Sequence, residues 1–235
     1  MSDYFDVLAG ALETQFEVVK VLRDTPRGNV SQLRHTQSGR RFLLRRFQGD
    51  GAVYRELLHV RCANLPQIVE VAEKDGAALV LEEFITGDRL DTLLESGPLP
   101  PGQTRRIARQ VCAALYALHS LGAVHRDVKP DNIILRGDEA VLIDFDASRL
   151  YKPERTTDTV VLGTTGYAAP EQYGLSQTDG RADIYSLGVT MNIMLTGKHP
   201  SLELAGGSLG RIIRRCVETS PKQRYKNVLD LLEVL

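Results

Sequence analysis

The apolar pattern of this 235-residue chain changes character once, near residue 86. That change restricts the fold more than any other feature. Before it, short runs rich in valine, leucine and phenylalanine are separated by turn signals: FEVVKVL (16–22), NVSQLRH (29–35), RRFLLRRF (40–47), IVEVAE (68–73) and AALVLEEF (77–84). Runs of this length and composition read as strands. Ser38-Gly39 and Asp75-Gly76 read as hairpin turns. One segment, VYRELLHVRCA (53–63), has helical spacing instead. After residue 86 the spacing is helical. Ile107, Val111, Leu115 and Leu118 share one face behind the Pro100-Pro101 entry, and DIYSLGVTMNIML (183–195) is apolar on every side, as a helix in the middle of a domain would be. The pattern predicts an α+β fold of two lobes: a small antiparallel sheet with one helix over about 12–84, a crossing at about 82–87, and a larger, mainly helical lobe over about 88–235.

Bulk properties exclude several classes. The formal net charge is −1, so nothing in the overall charge points to nucleic acid or an anionic membrane surface. Cys62, Cys112 and Cys216 are far apart and form no CxxC pair, which argues against a zinc site or a disulfide framework and fits a reducing compartment. MSDYFDVLAG lacks the basic start and apolar centre of a secretory signal, and no apolar run approaches the roughly 20 residues that cross a bilayer. A cytoplasmic protein with no membrane segment in this chain is the expectation.

The chemistry concentrates in VHRDVKPDN (124–132). Polar loops often hold such residues, but here the order is informative. Asp127 and Asn132 are five apart and flank Lys129 and Pro130. LIDFDASR follows, with Asp144 twelve residues past Asn132, across a run that reads as a hairpin. One carboxylate to take or orient a hydroxyl proton, a second carboxylate and an amide for magnesium, and a lysine to offset phosphoryl charge suit phosphoryl transfer.

On these residues the chain resembles the protein kinase family, specifically the bacterial (eukaryotic-like) serine/threonine kinases. HRDVKPDN is similar to the catalytic loop. GTTGYAAPEQ (163–172) is similar to the end of the activation segment, DIYSLG (183–188) to the start of the central buried helix, and SPKQRY (220–225) to the segment whose arginine pairs with the glutamate of APE. The resemblance implies ATP and magnesium as cofactors and a protein serine or threonine as substrate. Asp127 would be the base, Lys129 would contact the transferred phosphate, and Asn132 and Asp144 would hold the metal. His125 and Phe145 would pack in an internal spine, Glu171 and Arg224 would form a buried ion pair, and Asp183 would hold the catalytic loop by its backbone. Lys129 with Thr164 is the serine/threonine pattern. Arg126 implies regulation by phosphorylation, with Thr156, Thr157 and Thr159 as candidates for autophosphorylation; three unmodified turn threonines are the other reading.

For the nucleotide, the resemblance implies Gly28, Val30, Leu43, Arg45, Glu56, Leu81, Glu82, Phe84, Ile134 and Asp144. Here the sequence departs from the family. Against the glycine-rich loop, RDTPRGNV (23–30) keeps only Gly28 and Val30, has Arg23 and Thr25 for the first two glycines, and loses a donor at Pro26. Either the hairpin is a plain turn, or Arg23 or Arg27 supplies by side chain what the backbone no longer does. Phe42-Leu43-Leu44-Arg45 stands where V-A-I-K is usual. Glu56 lies where the lysine's helical partner belongs, and a bidentate Arg45–Glu56 pair is the expectation, although arginine is longer, planar and always charged. Leu43 would narrow the adenine site; Leu81 would be the gatekeeper; Glu82 to Phe84 would offer hinge backbone groups. Arg46 is expected to face solvent. DFD replaces DFG at 144–146, leaving Asp144 as ligand. An active, slow kinase and a pseudokinase acting as a scaffold or allosteric partner both remain open. Small-molecule kinases of the aminoglycoside or choline type are disfavoured by GYAAPE and DIYSLG.

Overall fold

The structure, a computed structural model, describes residues 3–26, 28–151, 164–174 and 178–235. The chain divides into two compact units, Met1–Arg61 with Pro66–Ile85, and Cys62–Leu65 with Thr86–Leu235.

In the first unit, α1 (Tyr4–Gln15) leads into β1 (Phe16–Thr25), β2 (Gly28–His35), β3 (Arg41–Gln48), the short helix α2 (Ala52–Leu57), β4 (Ile68–Lys74) and β5 (Ala77–Glu83). The five strands form one antiparallel sheet in the order β1-β2-β3-β5-β4. The strand runs read from the sequence are these five strands. Asp75 and Gly76, with φ of 50° and 76°, make the tight left-handed turn that joins β4 to β5. Edge strand β1 exposes Val18, Val19, Val21 and Leu22. Register shifts at Val18/Lys20 and Val21/Arg23 interrupt its ladder and, with Lys20, make it a poor template for further pairing.

Period-two alternation gives this sheet two distinct faces. On one, Leu33, Phe42, Leu44, Ala72, Leu79 and Leu81 pack with Leu8 and Leu12 of α1, and Phe5, Ala9 and Phe16 border the cluster. Burying each leucine stabilises by about 1.5–3 kcal/mol. Asp3 caps α1 through the Phe5 amide, and Lys74 pairs with Asp6 at 2.6 Å. This helix is additional to the one helix expected in the strand-rich part. Its apolar signal is only an i, i+4 leucine pair around the helix-weakening Gly10. The second face carries Leu43 and Arg45 beside Val80 and Glu82, as the β3–β5 register dictates. Phe47 lies 5.8 Å, centroid to centroid, from Tyr54 of α2.

The second unit is built on helices. After β6 (Asp88–Arg89) and α3 (Leu90–Leu94) come α4 (Pro101–Ser120), β7 (Ala123–Val124), β8 (Ile133–Arg136), β9 (Glu139–Leu142) and β10 (Arg149–Leu150), then α5 (Gly180–Thr196), α6 (Gly207–Cys216) and α7 (Val228–Val234). Helix α4 buries Ile107, Val111, Leu115 and Leu118, the face expected from the sequence. Helix α5 is buried around most of its circumference and packs on α4, α6 and α7. A side chain at Gly188 would meet Cys216 Cβ at 2.4 Å, so glycine sets how closely α5 and α6 approach. Gly197, at φ 69°, ends α5 in the left-handed conformation. Among the described residues no helix is long and apolar enough to cross a membrane.

Candidate active site

The loop after β7 is organised by α5. Asp183, in the first turn of that helix, is fully buried and accepts from the backbone N–H groups of His125 (2.9 Å) and Arg126 (2.7 Å) and from His119 Nε2 (2.8 Å). Burial alone would raise its pKa. The His119 hydrogen bond, the nearby histidines and the Arg126 amide outweigh it, so Asp183 stays below the ordinary carboxylate range. These bonds hold Arg126 at φ 69°, a left-handed conformation that costs a non-glycine residue free energy.

His125 is buried beneath the loop. Its Nδ1 accepts from the Asp127 amide (3.3 Å), so Nε2 carries the proton and donates to the Ile143 carbonyl (3.2 Å). Burial pushes its pKa down, in keeping with a neutral ring. The ring meets Phe145 edge-on at 5.6 Å. Both roles match the structural ones the resemblance implies.

Four side chains converge at the surface of the loop. Asp127 Oδ1 accepts from the Thr164 hydroxyl at 2.6 Å, and that hydroxyl accepts from Lys129 Nζ at 2.6 Å. Lys129 Nζ also lies 3.0 Å from Asp127 Oδ2. Asn132 Nδ2 donates to Asp127 Oδ2 and to its backbone carbonyl, each at 2.9 Å. Partial burial would raise the Asp127 pKa. The bonds from Thr164 and Lys129, and the lysine's charge, outweigh it, and the carboxyl lies below its ordinary value. Asp127, Lys129 and Asn132, singled out in the sequence, therefore come together, with Thr164 as the fourth member.

Asp144 follows the β8–β9 hairpin at φ 68°, and its Oδ1 accepts from the Asp146 amide at 3.3 Å. The Ile143 amide donates to the Asn132 carbonyl at 2.9 Å, which ties the two expected metal ligands through adjoining backbone. Among the described residues no group of three or more His, Cys, Asp or Glu side chains could hold a metal. An amide and one carboxylate nevertheless suit magnesium, a hard cation that takes few protein ligands and completes its shell with water and phosphate. Because Asn132 Nδ2 is directed at Asp127, its Oδ1 is left as the donor atom. Ile134 lies half-buried on β8. Away from the site, Glu171 and Arg224 form a bidentate pair at 2.6 and 2.8 Å, as expected.

The first unit departs from the expectation. Arg45 does not pair with Glu56: its Nε donates to Glu82 Oε1 at 2.9 Å, with both side chains buried. Helix α2 ends at Leu57, so Glu56 sits in its last turn and is exposed. Leu81, the expected gatekeeper, lies on the face covered by α1, opposite Leu43 and Arg45. Glu82, on the other face, places its buried carboxylate against Arg45. Gly28 closes the β1–β2 hairpin at φ 150°, where a Cβ would come within 2.2 Å of the Arg46 carbonyl. Contact between strands is sufficient reason for that glycine. Val30 is buried, Leu43 and Phe84 are half-buried, and Arg23 is exposed. Arg46 is half-buried beside Phe5 and Ala9 of α1, at a cavity that also touches Phe47 and Leu79; the expectation of a fully solvent-facing side chain is corrected by the presence of α1. Arg27, Thr156, Thr157 and Thr159 lie outside the described residues.

Sequence reading did not single out His119, Ser186 or Asn192. Ser186 Oγ donates to the Tyr167 carbonyl at 2.9 Å, and Asn192, fully buried, bonds three backbone groups of residues 198–205. For Ser186 and Asn192 the signal was available: small polar residues inside an otherwise apolar helix, which burial obliges to find partners.

Residues 28–231 match the protein-family model described as Protein kinase domain. Among curated proteins, the chain is similar to the serine/threonine-protein kinase pkn2 of Myxococcus xanthus, with 34% identity over 71% of this chain and 20% of that protein. It is similar to PknL of Mycobacterium tuberculosis, with 42% identity over 54% and 33%. PknH of the same organism is 32% identical over 89% and 36%. The chain thus spans about a fifth to a third of the length of the relatives it matches.

Proposed function

From the premise that this chain belongs to the protein kinase family, we propose that it transfers the γ-phosphoryl group of ATP to serine or threonine hydroxyls of protein substrates. One observation carries the reading: Asp127 is held ionised among Lys129, Thr164 and Asn132. An ionised carboxylate there can accept the proton of an incoming hydroxyl. The Lys129 ammonium offsets charge on the phosphoryl oxygens as they separate from the leaving group. Thr164, bridging the two, fixes their spacing. Asn132 and Asp144 would hold magnesium, which supplies charge neutralisation at the phosphates when bound. Gly28, Val30, Leu43, Phe84 and Ile134 are the proposed nucleotide neighbours. The proposal includes a cytoplasmic setting, supported by three unbridged cysteines, and autophosphorylation at Thr156, Thr157 or Thr159.

The Arg45–Glu82 pair sets the expected speed. An arginine whose Nε is held by a buried carboxylate is not the compact, mobile point charge that a lysine offers to phosphate. Loss of one preorganised electrostatic contact lowers a rate about 100- to 1,000-fold, so transfer is slow. The same pair is what favours the second reading, a scaffold that binds nucleotide weakly and transfers nothing.

Incubation with γ-labelled ATP, magnesium and a mixed serine/threonine peptide pool, beside the Asp144→Asn variant, separates the two. Label above the variant supports the kinase. Equal labelling in both rejects it, and a thermal shift with ATP then tells a nucleotide-binding scaffold from one that binds none.

A further inference from the structure

We propose that His199 is a positioning residue: it fixes the turn that carries Thr164 and, through Thr164, the orientation of Asp127. The proposal rests on the phosphoryl-transfer reading above. It adds to that reading a residue eleven positions past the nearest motif, DIYSLG (183–188), and outside the catalytic constellation.

The tautomer of His199 follows from its neighbours. The backbone N–H of Ser201 points at its Nδ1 (3.2 Å), and a backbone amide can only donate. Nδ1 is therefore the acceptor, also within 2.7 Å of the Ser201 hydroxyl. Nε2 carries the proton and donates to the Gly166 carbonyl at 2.8 Å. Gly166 lies at φ 91° in a turn whose Tyr167 and Ala168 amides both return to the Thr164 carbonyl at 3.0 Å. The residue that this turn presents, Thr164, is the one bonded to Asp127 and Lys129.

His199 can anchor the turn because it is itself anchored. Its carbonyl accepts from the Leu202 and Glu203 amides at 2.9 and 3.2 Å. Beneath it, Asn192 of α5 donates to the carbonyls of Lys198 and Glu203 and accepts from the Ala205 amide, at 2.8, 2.8 and 2.9 Å. A fully buried side chain that satisfies three backbone groups leaves the segment little freedom. The second hold on the turn, Ser186 to the Tyr167 carbonyl, also comes from α5. One helix thus supports the catalytic loop through Asp183 and the Thr164 turn through Ser186 and, by way of Asn192, His199.

The test compares His199→Ala with His199→Gln, whose side-chain amide keeps an N–H donor of similar reach. Two measurements are made on the full chain: amide hydrogen exchange of residues 164–168, and kcat and KM for ATP and peptide. His199→Ala is expected to speed exchange at Tyr167 and Ala168 and to lower kcat roughly three- to ten-fold, the worth of one hydrogen bond. The KM for ATP stays unchanged, and His199→Gln recovers most of both effects. Unchanged exchange in His199→Ala, unchanged kcat in an active chain, or equal losses in the two variants would each overturn the role. Should the unmutated chain transfer no phosphate, the kinase reading fails on its own account, while the exchange measurement still decides whether His199 holds the turn.

Discussion

Arg45 and Glu82 form a buried ion pair across β3 and β5, with Nε to Oε1 at 2.9 Å and side-chain exposures of 6% and 4%. They occupy diagonal positions on one face, since Leu43 stands opposite Glu82 and Arg45 opposite Val80. Removing one partner of such a pair takes a hydrogen-bonded counter-charge away from a buried ion, which costs about 3–5 kcal/mol. Glu82→Leu and Arg45→Met are each expected to destabilise the chain by that amount in urea unfolding, whereas the double variant falls within about 1–2 kcal/mol of the parent. Additive losses would mean that the two side chains do not rely on each other.

Asp127 leads to a prediction about pH. Its carboxyl lies below the ordinary value of 3.8 because the Thr164 and Lys129 bonds outweigh desolvation. A depressed folded pKa keeps Asp127 ionised through neutral and mildly acidic pH, and in the proposed role activity is lost only as pH falls through that depressed value. Thr164→Val removes one of the bonds that depress it. The acid limb of kcat/KM is expected to move to higher pH in that variant, and the plateau rate to fall about ten- to hundred-fold, the worth of a hydrogen bond to a charged group. An unmoved acid limb would show that the hydroxyl does not tune Asp127.

The sequence displayed what is local. Five strand runs, the Asp75-Gly76 turn and the α4 face are all set by spacing along the chain, and each is where that spacing put it. What it hid is set by pairing between distant segments. Nothing around Leu81 reveals that the β3–β5 register turns it toward α1, because a shift of one residue would reverse every side chain. Glu56 has the right separation from β4 to meet Arg45, yet α2 stops one residue later and Glu82, a strand away, takes the partner's place. Helix α1 escaped because two leucines and a capping aspartate are a weak signal until a sheet face is there to receive them.

The buried Asp183 links pH to stability with a sign that can be fixed. Its folded pKa is lowered from 3.8, so the stabilisation it brings is complete above the unfolded value and disappears as pH falls through the folded one. Unfolding midpoints of the parent should therefore decline on acidification below about pH 4. Asp183→Ala leaves the His125 and Arg126 amides and the His119 ring without their acceptor. A loss of roughly 3–5 kcal/mol at pH 7 is expected, with a shallower acid slope. An acid slope as steep as the parent's would assign that pH dependence to other carboxylates.

Two glycines of the first unit make opposite predictions from the same substitution. Gly10 sits exposed within α1, and a methyl group there meets nothing within 4 Å. Alanine relieves the helix of glycine's backbone entropy, so Gly10→Ala is expected to stabilise by about 0.5–1 kcal/mol. At Gly28 the backbone is at φ 150° and the added carbon would lie 2.2 Å from the Arg46 carbonyl and 2.7 Å from Phe47 Cα, neither of which is a movable side-chain end. Gly28→Ala must part β2 from β3 at the hairpin, with a loss expected above 2 kcal/mol, or about 30-fold in the folding equilibrium. Thermal unfolding of both variants checks the pair. A neutral Gly28→Ala would mean that the hairpin end is looser than its ladder implies, and that its glycine has a purpose other than strand contact.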